Sequence, residues 1–132
     1  KLETLSAGTS CCSLVEFQER LRLAEEWMVS DAAPTPREVA NRLGNGMSAP
    51  SSCVSALYIA LRFLHADFSD LMDFVIACKG DVDTIGAMAG TLWGAYNGAS
   101  ALPKMRLEQH AAIESTAIRL YAREHNAPPD SA

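Results

Sequence analysis

The chain has 132 residues, of which 48% are hydrophobic, and its formal net charge is -5 at pH 7. This length suits one domain with a globular core. The acidic balance excludes the basic surface that nucleic-acid binding requires, and no run of about 18 apolar residues is present. We therefore expect neither a nucleic-acid partner nor a membrane partner.

The cysteine pattern argues against a zinc site. No two of the four cysteines form a C-x-x-C pair, and the three histidines lie far from them in the sequence. We interpret the cysteines as free thiols of a reducing compartment, which predicts an intracellular, cytoplasmic location. The four are Cys11, Cys12, Cys53 and Cys78.

The N-terminal part of the chain predicts two helices after a polar start. Residues 1–12 are polar and rich in serine, and we expect a flexible lead-in there. Apolar residues at helical spacing from Ser13 to about residue 29 predict an amphipathic helix. Thr35 is placed to be the next N-cap, with Pro36 at the first helical position and Glu38 at the third. This second helix should end at the glycines of "LGNG".

The remainder of the chain predicts four further helices. Residues 50–65 are apolar nearly all round, which is typical of a central helix. Helices are also expected over 67–78, over the glycine-containing segment that follows, and from Pro103 to about residue 124. The tail, 126–132, should be disordered. The predicted fold class is all-α, a bundle of five or six helices.

Glycines recur every four residues in the fifth predicted helix, at Gly86, Gly90, Gly94 and Gly98. Each interior glycine destabilises a helix by roughly 1 kcal/mol relative to alanine. The spacing places these glycines near one face of the helix, where another element can approach closely. The pattern therefore predicts a tightly packed, buried helix.

Two aspartates and a threonine stand at the start of this helix: Asp81, Asp83 and Thr84. One acidic residue at a helix N-terminus is explained by capping and by the helix dipole. Two acids with a hydroxyl form a set of hard oxygen ligands suited to magnesium, manganese or calcium. An EF-hand is excluded, because its last ligand position would be Leu92 instead of glutamate. Spacing alone leaves capping and a partial metal site both open.

The segment "GDVDTIGAMAGTLWGAYNG" resembles the C-terminal signature of the ADP-ribosylglycohydrolase family, G-D-x-D-T followed by a helix rich in small residues. A second segment, "LGNGMSAPSSCVSALYIALRF", resembles the family motif that begins L-G-x-G-x-x-A and ends Y-x-x-L-R. The detail is nearest to the branch that removes ADP-ribose from serine and cleaves poly(ADP-ribose). The chain departs from the second motif at Ser51, where the family has glutamate, and at Cys53–Val54, where it has Val-Pro.

This resemblance implies an orthogonal all-α fold with a binuclear magnesium centre, or manganese in some members. Asp81, Asp83 and Thr84 match the C-terminal ligands of that centre. Gly46 and Met47 match the place where the family's backbone touches the nucleotide. The family's other ligands include a T-D-D motif that this chain lacks, and no catalytic acid or base is assigned in it.

By this comparison, residues 13–125 form the C-terminal helical part of a larger ADP-ribosylglycohydrolase domain. The implied function is metal-dependent hydrolysis of an ADP-ribose glycosidic bond, which removes ADP-ribose from proteins or related conjugates. The chain would supply the C-terminal metal ligands and would not be competent without the missing N-terminal half. The alternative is a non-catalytic helical fragment or subunit that needs a partner chain to complete the site.

Overall fold

The computed structural model describes residues 7–30, 32–103 and 108–125. These residues form six α-helices, a short 3-10 helix and no strand, which confirms the all-α prediction and the expected number of helices. The helices are α1 (Ala7–Val29), α2 (Pro36–Arg42), α3 (Ala49–Arg62), α4 (Phe68–Cys78), α5 (Val82–Asn97) and α6 (His110–His125), and the 3-10 helix is Ala99–Ala101.

The predicted ends of the chain are described only in part. Residues 1–6 of the expected lead-in, 1–12, and the whole expected tail, 126–132, lie outside the described residues. α1 begins at Ala7, ahead of the Ser13 start that the apolar pattern predicts. The residues that precede Ser13 in α1 are small or polar, so they carry no apolar stripe that could mark the helix start.

The start of α2 is the predicted capping box. The backbone N–H of Glu38 donates to Thr35 Oγ1 at 3.3 Å, and the backbone N–H of Thr35 donates to Glu38 Oε2 at 2.8 Å. Pro36 stands in the first turn, where its missing N–H group has no helical partner to lose. These local interactions explain why seven residues form a helix at all.

The central helix of the described structure is α3, which packs against α1, α4 and α5. Tyr58 and Ile59 are buried, and the Trp27 ring of α1 meets the Tyr58 ring edge-on with centroids 5.4 Å apart. One face of α3 is nevertheless open, since Leu57 and Leu61 are 37% and 44% exposed. The apolar pattern predicts that α3 is packed against other elements on nearly every side. No described residue packs over this face.

The glycines of α5 are explained by close packing only near its start. A Cβ at Gly86 would lie 3.2 Å from Met72 Cε, and one at Gly90 would lie 3.4 Å from a ring carbon of Phe68. A Cβ at Gly94 would meet nothing within 4 Å in the described part of the chain. Because α4 begins at Phe68, level with Gly90, it has no residue left to cover Gly94. The predicted glycine face is therefore packed along only part of α5.

The C-terminal end of α5 is tied to the connection between α3 and α4. Trp93 Nε1 lies 3.1 Å from both Phe63 O and Ala66 O, so one indole N–H serves two carbonyls. Asn97 Nδ2 donates to Leu64 O at 2.9 Å. These bonds fix the end of α5 that lies farthest from its acidic first turn.

The last helix, α6, presents its apolar side chains to solvent. Every described side chain from 108 to 123 is exposed, including Ile113 at 57% and Leu120 at 64%. Neither α6 nor any other helix of the described residues combines the length and apolarity needed to cross a bilayer.

Candidate functional site

The turn between α4 and α5 carries the predicted metal ligands. Its backbone reverses through Lys79 and Gly80, with φ of 59° and 76°, and Asp81 then occupies the N-cap position of α5. Asp83 and Thr84 lie in the first turn of the helix, and both are exposed. The structure thus brings the three predicted side chains to one end of one helix, which we call the acidic turn (residues 79–84).

Asp81 stands at the N-cap without acting as a capping side chain. Its carboxylate makes no capping hydrogen bond to the backbone of α5. Its Oδ2 atom is buried and has no hydrogen-bond partner among the described residues. A buried polar atom left unsatisfied typically costs about 1–3 kcal/mol, and a charged one costs more. A hard cation would satisfy this oxygen, so the residues present fit a divalent metal.

Asp81 and Asp83 interact directly. The pKa of Asp83 lies below its usual value, first because of a hydrogen bond with the Asp81 side chain and then because of the backbone N–H groups of Asp83 and Thr84. Two carboxylates at one site repel each other. A divalent cation bound between them would offset that repulsion.

The acidic turn does not complete a metal site by itself. Within residues 7–30, 32–103 and 108–125, no group of three or more His, Cys, Asp or Glu side chains is placed to hold a metal ion. Magnesium demands near-octahedral coordination and usually keeps water and substrate oxygens among its ligands. The remaining ligands would therefore come from solvent, from a substrate, or from residues outside the described structure.

The loop between α2 and α3 is held from the α3 side by two serines. Ser55 Oγ donates to Gly44 O at 2.5 Å, and the backbone N–H of Gly46 donates to Ser51 Oγ at 2.8 Å. Gly44 has φ of 105°, and a Cβ there would overlap Ser51 Oγ and Arg20 Nη1. Ser51, one of the two departures from the family motif, therefore secures the loop that carries Gly46.

Asn45 joins this loop to the acidic turn. Its carbonyl accepts a hydrogen bond from the backbone N–H of Asp81 at 2.8 Å, and its Nδ2 donates to Cys78 O at 3.1 Å. At Gly80 a Cβ would overlap the Asn45 carbonyl, so the two segments meet backbone to backbone. We did not predict a role for Asn45 from the sequence. The signal that was available is an asparagine between two glycines, since asparagine amides commonly bond to the backbone of turns.

Gly46 and Met47 lie at the outer edge of the same loop. Gly46 is exposed, and Met47 is 87% exposed. Asn45, which precedes them, is bonded to the acidic turn. Their role in substrate binding stays a prediction.

An apolar groove runs along α3 and α5, which we call the α3–α5 groove. It has a volume of about 460 Å³ and is lined by Cys53, Ala56, Ala87, Met88, Thr91 and Leu92. Ala87 and Met88 follow Thr84 by three and four residues, so they lie on its face of α5. Among the described residues, no charged side chain lines the groove. Its chemistry suits packing or apolar contact, whereas the carboxylates of the acidic turn suit cation binding.

Residues 2–129 match the family model described as ADP-ribosylglycohydrolase. The chain is 33% identical over 111 residues to ADP-ribosylhydrolase ARH3 of Homo sapiens, covering 77% of this chain and 30% of that protein. It is 32% identical over 111 residues to ADP-ribosylhydrolase ARH3 of Bos taurus, again covering 77% and 30%. It is 32% identical over 114 residues to ADP-ribosylhydrolase ARH3 of Danio rerio, covering 78% and 30%.

The chain therefore spans about 30% of the length of these curated relatives. No solved structure matches it significantly.

Proposed function

The chain belongs to the ADP-ribosylglycohydrolase family, and from that premise we propose that it forms part of a hydrolase for the glycosidic bond of ADP-ribose conjugates. The family resemblance seen in the two motifs is confirmed, and the ARH3 relatives support the predicted branch. We propose that residues 13–125 are the C-terminal helical part of the catalytic domain. The substrate would be ADP-ribose attached to a protein or to a related conjugate.

The observation that carries the proposal is the buried, unpartnered Oδ2 atom of Asp81. A carboxylate kept only for capping would bond to the first backbone N–H groups of α5, and that of Asp81 does not. Asp83 beside it supplies a second oxygen donor to the same end of the helix. This favours the metal site over the capping interpretation that the sequence alone leaves open.

We propose that Asp81, Asp83 and Thr84 hold part of a divalent metal centre of two ions, magnesium or manganese. When bound, such ions supply Lewis-acid stabilisation of charge on substrate oxygens and lower the pKa of bound water. The chain's own contribution is binding and orientation. The N–H groups and dipole at the start of α5 favour an anionic diphosphate, and the exposed loop at Gly46 and Met47 offers backbone groups beside it.

The chain alone would supply an incomplete site. The two carboxylates need further ligands, and no third His, Cys, Asp or Glu joins them in the described residues. The α3–α5 groove and the exposed Leu57 and Leu61 of α3 also leave apolar surface to be covered. Both features favour a protein in which other residues complete the site, as the alternative of a fragment or subunit also requires.

The test is ADP-ribose release by the protein that carries this chain, purified at its natural length. The substrate would be a peptide bearing ADP-ribose, assayed with magnesium, with manganese and after chelation. Asp81→Asn keeps the shape of the side chain and removes its charge. We expect this variant to lose about a hundredfold in rate, because metals contribute several kcal/mol of charge stabilisation.

The matched control is Asp73→Asn, since Asp73 is exposed on α4. It should keep the parent rate. Release that resists chelation and survives Asp81→Asn would contradict the metal-dependent mechanism. Folded protein that releases no ADP-ribose with either metal would favour the non-catalytic alternative.

A further inference from the structure

We propose that Asn45 is a positioning residue that couples occupation of the metal site at the acidic turn to the binding of ADP-ribose at the Gly46–Met47 loop. This inference rests on the proposed function, and it deepens that function by assigning a residue that touches neither ligand. The feature that carries it is the pair of bonds from Asn45 to both ends of the turn before α5.

The two bonds leave the acidic turn little freedom relative to the loop. Asn45 O accepts from Asp81 N at 2.8 Å, at the residue whose Oδ2 atom has no partner among the described residues. Asn45 Nδ2 donates to Cys78 O at 3.1 Å, at the last residue of α4. The bonded groups therefore bracket the reversal through Lys79 and Gly80, and a shift of Asp81 must move Asn45 or break a bond.

The other side of the loop is equally constrained. Ser51 and Ser55 of α3 bind Gly46 N–H and Gly44 O, the residues on either side of Asn45. Position 80 has no room for a side chain, because a Cβ there would overlap the Asn45 carbonyl. The loop is thus a fixed link between the N-terminal turn of α3 and the acidic turn.

The amide side chain is the part of this link that mutation can remove. Any residue at position 45 retains the carbonyl that accepts from Asp81, whereas only a suitable donor can reach Cys78 O. Without that donor, one hydrogen bond in place of two joins the loop at Asn45 to the chain reversal at Gly80. The loop should then restrain the position of Asp81 less tightly. A cation bound at Asp81 should also have less effect on the position of Gly46 and Met47.

Asn97, at the far end of the helix that begins at the acidic turn, provides a control. Its Nδ2 donates to a backbone carbonyl 33 positions away, Leu64 O at 2.9 Å, as Asn45 Nδ2 does to Cys78 O, and it also donates to Trp93 O of its own helix at 3.0 Å. It lies at the opposite end of α5, about 24 Å along a helix of 16 residues. Asn45→Ala and Asn97→Ala therefore remove the same kind of bond, one beside the acidic turn and one far from it.

The experiment measures ADP-ribose affinity by calorimetry, with saturating magnesium and after chelation, for the protein at its natural length. The ratio of the two dissociation constants is the coupling factor. Thermal unfolding of each variant is recorded in parallel. We expect Asn45→Ala to reduce the coupling factor by about fivefold or more, and Asn97→Ala to leave it unchanged at a similar loss of melting temperature.

Each of the following outcomes overturns the proposal. An unchanged coupling factor in Asn45→Ala would make Asn45 a structural residue only. An equal fall in both variants would make the effect one of general stability. Parent protein that binds ADP-ribose equally with and without metal would remove the coupling itself, whereas parent protein that neither binds nor releases ADP-ribose would remove the proposed function as well.

A second variant keeps the test decisive if Asn45→Ala does not fold. Asn45→Ser retains a small polar residue suited to turns, but its hydroxyl is too short to replace the amide at Cys78 O. It should show the same reduced coupling factor. A parent-like factor in a folded Asn45→Ser protein would contradict the proposal.

Discussion

The guanidinium carbon of Arg62 lies 4.7 Å from the ring centroid of Phe74, which joins the last turn of α3 to the middle of α4. The same guanidinium donates from Nη1 to Pro34 O at 2.6 Å. One cation thus links α3, α4 and the segment before α2. The relative placement of these elements decides where the loop at Asn45 meets the acidic turn.

Arg62→Ala should reduce the free energy of unfolding by about 2–4 kcal/mol. The change leaves the carbonyl of the buried Pro34 without its charged donor and removes the contact with the Phe74 ring. Urea unfolding measures the loss. Arg37→Ala, at an exposed position of α2, is the control and should stay within about 0.5 kcal/mol of the parent. Equal losses of unfolding free energy in the two variants would show that the Arg62 contacts do not stabilise the fold more than an exposed arginine does.

Divalent metal should raise the melting temperature of the protein that carries this chain. Binding to the folded state alone stabilises it, and neutralising the Asp81–Asp83 pair adds to the effect. Asp83→Ala should abolish the gain, while Asp73→Ala on α4 should retain it. The measurement is thermal unfolding with magnesium or manganese against a chelated sample. A parent-like metal response in Asp83→Ala would remove Asp83 from the ligand set.

Glu38 should make the stability of the fold depend on acid pH. The backbone N–H of Thr35, and then its hydroxyl, bond to the Glu38 carboxylate and hold its pKa below the usual value of 4.5. The resulting stabilisation is fully present above the unfolded-state pKa and disappears as the pH falls through the lowered folded-state value. The stability difference between the parent and Glu38→Gln should therefore shrink as the pH is lowered.

Urea unfolding at several pH values measures this difference. Glu25→Gln, at an exposed position of α1, is the control and should show no such trend. A difference between the parent and Glu38→Gln that grows on acidification would have the wrong sign for this mechanism.

Alanine substitutions at Gly86 and Gly94 of α5 should change the free energy of unfolding by different amounts, or in opposite directions. Gly94→Ala should stabilise the chain by about 1 kcal/mol, because it removes a helical glycine and its Cβ meets nothing within 4 Å. Gly86→Ala should gain less or destabilise, since its Cβ would lie 3.2 Å from Met72 Cε. Urea unfolding of the 132-residue chain orders the two variants. Destabilisation by Gly94→Ala would mean that another segment covers that position.

Local chemistry was sufficient to predict the number of helices and the position of the acidic turn, but the structure begins α1 at Ala7 and α6 at His110, where Ser13 and Pro103 were predicted. The capping box at Thr35 and the carboxylates ahead of α5 are signals within a few residues of one another, so the sequence displays them directly. Cover for Leu57 and Leu61 could not be predicted, because an apolar pattern does not tell which side chains have a partner. Gly94 was predicted to be packed for the same reason, although α4 is too short to reach it.

The role of Asn45 could not be predicted, because its partners are remote in sequence. An asparagine between two glycines indicates an amide that bonds to the backbone of a turn, but it does not identify Cys78 O and Asp81 N–H as the partners. The metal and nucleotide roles of Asp81, Asp83 and Met47 came from family resemblance, and they stay predictions. The unpartnered Oδ2 of Asp81 is the structural observation that favours them.

The bond from Asn45 to Cys78 closes a chain segment of 33 positions. Closure of a segment of that length carries an entropy cost of about 3 kcal/mol, which the packing of α3 and α4 must offset before the two loops can meet. We therefore expect the acidic turn to gain its native geometry late in folding, after these helices have docked. A short peptide copied from the turn would carry the carboxylates without the support that places them.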